Sequence, residues 1–217
     1  MGTETTSRRP LKVRDKAWAH SLAHIVAQRR ITPNQISLAS AFFAAVAGAC
    51  LFYWQHFDNV GRVLTLVGAA AGIQLRLICN LIDGMVAVEG KMGTKSGEVF
   101  NDMPDRFADL MILVGAGYGL MFPWGRELGW LAGTFAVLTA YVRVLGGALG
   151  LKQSFAGPMA KQHRMAVMTF SSLGSAVETV VFHTEYILIA ALSIIALGSL
   201  YTTFFRAASV VEGLENK

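Results

Sequence analysis

From Ile36 to Tyr53 eighteen residues pass without a charge, and from Tyr186 to Phe205 another twenty do the same. An apolar run of about twenty residues wound as α-helix crosses the hydrocarbon core of a bilayer. In that medium the backbone must satisfy its own hydrogen bonds, so such a chain folds as helices or as a closed barrel. The composition points the same way. Hydrophobic residues make up 53% of the 217, charged residues only 15%, and mean hydropathy is +0.46. A soluble domain of this length carries more charge and less apolar surface.

The pattern predicts an all-α integral membrane protein with six transmembrane helices. They lie near Ile36–Tyr53, Val63–Ile82, Phe107–Phe122, Leu128–Gly150, Met165–Phe182 and Tyr186–Phe205. Ahead of them, Lys12–Arg29 reads as an amphipathic helix, with Trp18, Leu22, Ile25 and Val26 at helical spacing. Such a segment is expected to lie in the headgroup region on the cytoplasmic side. The first thirty residues show no apolar core before a cleavage site, so no cleavable signal peptide is expected.

Lys and Arg set the orientation. Seven fall before the first span, and Lys91, Lys95 and Arg106 lie between the second and third. Lys152, Lys161 and Arg164 lie between the fourth and fifth, and Arg206 and Lys217 follow the sixth. The opposite loops hold only Arg62 and Arg126. Both termini and the 83–106 and 151–164 loops are therefore expected in the cytoplasm of a bacterial-type inner or plasma membrane. The net charge of +5 is spread along span edges, which fits anionic membrane lipids as partners and excludes a nucleic-acid face.

Two cysteines within apolar stretches, Cys50 and Cys79, read as packing residues, not a disulfide or a metal framework. His20 and His24 stand one turn apart and read as a solvated or interfacial pair. Gly115-x-x-x-Gly119 and Gly146-x-x-x-Gly150 place small residues where helices pack closely, either within the chain or between chains.

Against this background the stretch Cys79–Asp109 is out of character. Asn80 and Asp83 stand at i and i+3 at the cytoplasmic end of the second span, with Arg76 one turn earlier. Asp102, Asp105 and Asp109 repeat that spacing at the entry of the third, with Asn101 one turn before Asp105. Gathering carboxylates where water is scarce is costly through desolvation and repulsion, and a divalent cation offsets that cost. Mg²⁺ takes oxygen ligands and keeps room for substrate phosphates. Glu89, Lys91, Lys95 and Glu98 read instead as solvated loop charges.

These residues carry a resemblance. Asn80-x-x-Asp83-Gly84-x-x-Ala87-Val88, eight residues, Gly97, three residues, Asn101, three residues, Asp105 resembles the signature of the CDP-alcohol phosphotransferases. That signature reads D-x-x-D-G-x-x-A-R, eight residues, G-x-x-x-D-x-x-x-D. Every spacing is kept, while Asn80 and Asn101 replace Asp and Val88 replaces Arg. The resemblance runs from about Ile31 to the last span. It implies a tail and interfacial helix over 1–30, a six-helix catalytic domain over 31–206 and a cytoplasmic tail over 207–217.

It also implies roles. Asp105 would be the general base. Asn80, Asp83, Asn101, Asp102 and Asp105 would face one or two Mg²⁺ or Mn²⁺ ions, Asp102 restoring one lost charge. Gly84, Ala87 and Gly97 would let backbone approach the nucleotide. The donor would be CDP-diacylglycerol or a similar CDP-lipid, and the acceptor a small alcohol or alcohol phosphate. Arg76, Arg143, Lys161 and Arg164 are the cations that could clamp such a phosphate, Lys161 and Arg164 having topology-setting charge as an equal alternative. The loop Phe155–Arg164 reads as structured, turned by Gly157-Pro158. A homodimer is compatible with the resemblance and with the small-residue faces.

Two other classes compete. A non-catalytic CDP-lipid-binding or scaffold protein would account for the lost acids, and would bind nucleotide without turnover. A small transporter would need carboxylates across the other spans, which the sequence lacks.

Overall fold

The structure is a computed structural model that describes residues 17–89 and 96–216. The tail before residue 17, Lys91, Lys95 and Lys217 lie outside the described residues, as do the side chains of Glu89 and Glu98. The described residues form seven α-helices and a short 3-10 turn at Trp54–His56. The helices are α1 Ala17–Gln28, α2 Pro33–Tyr53, α3 Asn59–Glu89, α4 Gly97–Tyr118, α5 Gly125–Ala148, α6 Lys161–Val181 and α7 Tyr186–Glu215.

Four of them, α2, α3, α5 and α7, are long and apolar enough to cross a membrane. The expected third and fifth spans fall on α4 and α6, which are helical over the expected stretch but are not among those four. Their sequences explain the difference. The first half of α4 carries Asp102, Asp105, Arg106 and Asp109, and α6 carries Lys161, Arg164 and Glu178 among several Ser and Thr. Much of this polarity points inward, since Asp105, Asp109, Arg164, Ser172, Ser175 and Glu178 are all buried.

The six long helices close into a ring in which each packs on two neighbours, in the order α2, α3, α6, α7, α5, α4 and back to α2. The main core lies inside it, built from Ala44, Ala47, Leu51, Ile73, Ile112, Leu113, Met165, Met168, Leu192 and Ile195. Close approach of α2 and α4 depends on glycine. A Cβ on Gly115 would collide with the backbone of Gly48, and one on Gly119 with the Leu51 carbonyl. The first small-residue motif thus packs inside this chain. In the second, Gly146 abuts Val210 of α7, while Gly150 lies just past the end of α5 at φ 78°, the left-handed turn that often ends a helix.

Local sequence sets the ends that matter for the site. Thr32 caps α2: its hydroxyl accepts from the Gln35 amide at 3.3 Å, and the Gln35 side chain accepts from the Thr32 amide at 2.9 Å. Pro33 opens the first turn, where its missing N–H costs nothing. α1 lies against the end of α3, with Ala19, Ala23, Leu22 and Val26 packed on Leu81, Ile82, Met85 and Val86. Trp18 and Ile25 remain exposed on its other side. The face toward the protein is therefore the small-residue one.

Candidate active site

Asp83 and Asn80 of α3 and Asp105 of α4 come together beside α2, on which both helices pack. The Asn80 amide donates to Asp105 Oδ1 at 2.9 Å and its oxygen accepts from the Ser40 hydroxyl at 2.7 Å. One turn on, Asp83 Oδ2 accepts from the Ser37 hydroxyl at 2.7 Å. Two serines on α2 thus fix the α3 ligand face. Both lie inside the first apolar run, where serine reads as packing, and only their i, i+3 spacing could have marked them.

Asp105 is held from three sides. Lys161, the first residue of α6, places its ammonium on Oδ2, and Arg76 lies 3.4 Å from Oδ1. Behind it Asp109 is buried between two guanidiniums, Arg76 at 2.7 Å and Arg164 at 2.6 Å. Arg76 and Arg164 are 0% and 1% exposed. Both give their short bonds to Asp109, and Lys161 and Arg143 are more exposed than either of them.

Asp102 turns to its own cations. Arg143 grips both of its oxygens, at 2.6 and 2.8 Å, and Arg106 adds a third contact at 3.1 Å. Arg143 also donates to Gln153 at 3.1 Å and lies over the Phe155 ring. Asn101 is exposed on α4, one turn before Asp105. On α3, Ala87 is half-buried and Val88 is exposed, and Gly97 opens α4 after Ser96. Gly84 lies between Asp83 and the buried Met85.

The 151–160 connection is structured and pinned. The Met159 amide donates to the Thr202 hydroxyl, and its carbonyl accepts from Arg164 at 2.8 Å. Gly157 sits at φ 113° with its Cα face against Thr202, a position that rejects any Cβ. Arg206 reaches back from α7 to the carbonyls of Ala156 and Thr139 at 2.8 and 2.7 Å. Beside this connection a cavity of about 200 Å³ is lined by Arg143, Lys152, Ser154, Arg206 and Ser209.

The chemistry of the donor set can be tested against a divalent ion. Among the described residues no group of three or more His, Cys, Asp or Glu gathers in metal-holding geometry. The oxygen donors of the cluster are the carboxylates of Asp83 and Asp105 and the neutral Asn80 side chain, whose N–H is given to Asp105 and whose oxygen accepts from Ser40. Hard oxygen donors of this kind fit Mg²⁺ or Mn²⁺, with water and substrate completing the shell.

No family model matches the chain, and no curated protein matches it. Solved structures do. Phosphatidylinositol phosphate synthase (PgsA1) of Mycobacterium tuberculosis with CDP-DAG bound matches with a TM-score of 0.70 at 19% identity, over 88% of this chain and 92% of that one. The same synthase in complex with manganese and citrate gives 0.70 at 20% identity, over 88% of each chain. Its apo form gives 0.68 at 20% identity, over 88% and 94%. The chain therefore shares the fold of this CDP-alcohol phosphotransferase, the fold that its polar motif implied.

Proposed function

We propose that the chain is a membrane-embedded phosphatidyltransferase that joins a CDP-linked lipid to the hydroxyl of an alcohol and releases CMP. The observation that carries this is the meeting of Asp83 and Asp105, two acids kept from the motif, with Asn80, which stands in place of a third, at one end of the ring, in the fold of a synthase that binds CDP-DAG.

In this reading the acceptor oxygen forms a bond to the lipid-bearing phosphorus. The bond from that phosphorus to the bridging oxygen breaks, CMP leaves with the bridging oxygen, and the hydroxyl proton passes to Asp105. Asp83 and Asp105 would hold a divalent ion, with Asn80 and Asn101 as neutral ligands, and when bound that ion would supply positive charge at the diphosphate. Asn80 orients Asp105 through its amide, and Ser37 and Ser40 hold Asp83 and Asn80 in register. Gly84, Ala87 and Gly97 leave space for the nucleotide. The apolar helices offer the acyl chains a path from the bilayer, with the site and both termini on the cytoplasmic side.

For the acceptor, the cavity beside Arg143 is lined by Arg143, Lys152 and Arg206. Three cations around a small space suit an alcohol that carries a phosphate.

The test is CMP release by the purified chain given CDP-diacylglycerol, Mg²⁺ or Mn²⁺ and a panel of alcohols and alcohol phosphates, with Asp105→Asn alongside. The expected result is CMP with one acceptor class, and a fall of at least about 100-fold in the variant, the scale of a positioned base. Bound CDP-lipid without CMP from any acceptor would favour a non-catalytic lipid-binding protein.

A further inference from the structure

The site carries its own cations in unusual measure. By formal charge, Arg76, Arg164 and Lys161 bring three positive charges to the cluster, and Asp83, Asp105 and Asp109 bring three negative ones. Asp102 stands apart from this count, one carboxylate between Arg143 and Arg106. The cluster is thus neutral before any ion or substrate enters. A CDP-lipid brings a diphosphate with two negative charges. One divalent ion balances it, whereas a second would leave two uncompensated charges in a poorly solvated place.

The cations differ in where they stand. Arg76 and Arg164 are buried and give their short bonds to Asp109. Lys161 is the most exposed of the three, its side chain 24% exposed, and its ammonium lies directly on an oxygen of Asp105. Two of the four acids in the family pattern are Asn80 and Asn101 in this chain. With fewer carboxylates and a lysine on one that remains, the donor set does not fit a pair of ions.

Building on the transferase reading, we infer that Lys161 replaces one metal ion: the site takes a single divalent cation, and the Lys161 ammonium supplies the other positive charge beside the diphosphate. A compact ammonium on a flexible stem can pass from Asp105 to a phosphate oxygen as substrate enters, leaving that carboxylate oxygen open to the acceptor proton.

The test counts bound Mn²⁺ per chain by electron paramagnetic resonance, on full-length protein in lipid nanodiscs saturated with CDP-diacylglycerol. Wild type is expected to hold one ion. Lys161→Met, which frees Asp105 without restoring charge, is expected to hold two at millimolar Mn²⁺, and Lys161→Arg to return to one. Two ions in wild type would overturn the inference whether or not the variants fold. One ion in both wild type and Lys161→Met would overturn the part given to Lys161. CMP release is followed on the same wild-type samples. CMP formed with two ions bound sinks the inference and leaves the transferase standing. One ion in wild type, two in Lys161→Met and no CMP from any acceptor would sink the transferase and leave the ion count with Lys161.

Discussion

Asp109, 1% exposed between two guanidiniums, shows how the residues divide their work. Its position at i+7 from Asp102 makes it look like a third ligand, yet it serves as the anchor of Arg76 and Arg164. Removing its charge leaves buried Arg164 without a carboxylate and Arg76 with only its longer contact to Asp105. Asp109→Asn is expected to cost about 3–5 kcal/mol, the scale of breaking a buried pair from one side. Asp102→Asn, whose side chain is 38% exposed in its pairs, should cost about 1 kcal/mol or less. Chemical unfolding of the two variants in the same detergent checks this, and equal losses would contradict it. Asp83 and Asp105 were legible because each stands at helical spacing from a second polar residue, Asn80 and Asn101. Ser37, Ser40 and Arg206 were not: what gives them meaning is a partner between 40 and 67 positions away, and nothing in their own neighbourhood signals it.

Among the helices, α4 and α6 were read as spans from their apolar halves, and both are helical there. What sequence left open is that their polar halves belong to the interior. Periodicity identifies a helix face, but lipid and a buried ion-pair cluster can lie at successive heights along that same face. The start of α7 makes a related point. Glu178, on α6 and 4% exposed, accepts from the Tyr186 amide at 2.7 Å, the Ile187 amide at 3.1 Å and the Thr184 hydroxyl at 2.8 Å. A carboxylate from a neighbouring helix thus satisfies amides that the first turn cannot. Glu178→Ala is expected to lower stability by about 1–3 kcal/mol, the cost of stranding buried donors, with the Mn²⁺ count unchanged because the contacts lie at α7's first turn and not at Asp105. A thermal melt alongside the ion count tests both halves of that statement.

For the molecule as a whole, the closed ring brings residues from all six long helices to one end: Ser37, Asp83, Asp105, Arg143, Lys161 and Arg206. The order of the helices around that ring was not legible, because apolar runs of similar composition do not say which neighbours they choose; glycine contacts and the buried ion pairs decide it. The ring gives the proposed reaction its direction, with acyl chains reaching the site from the bilayer and the acceptor reaching it from water. That direction is most directly tested with an acceptor alcohol whose hydroxyl carries ¹⁸O. Attack on the lipid-bearing phosphorus predicts ¹⁸O in the phospholipid product, one unlabelled CMP for each lipid formed, and at least about 100-fold less of both from Asp105→Asn. Label in the nucleotide, with phosphatidic acid as the other product, would contradict the account.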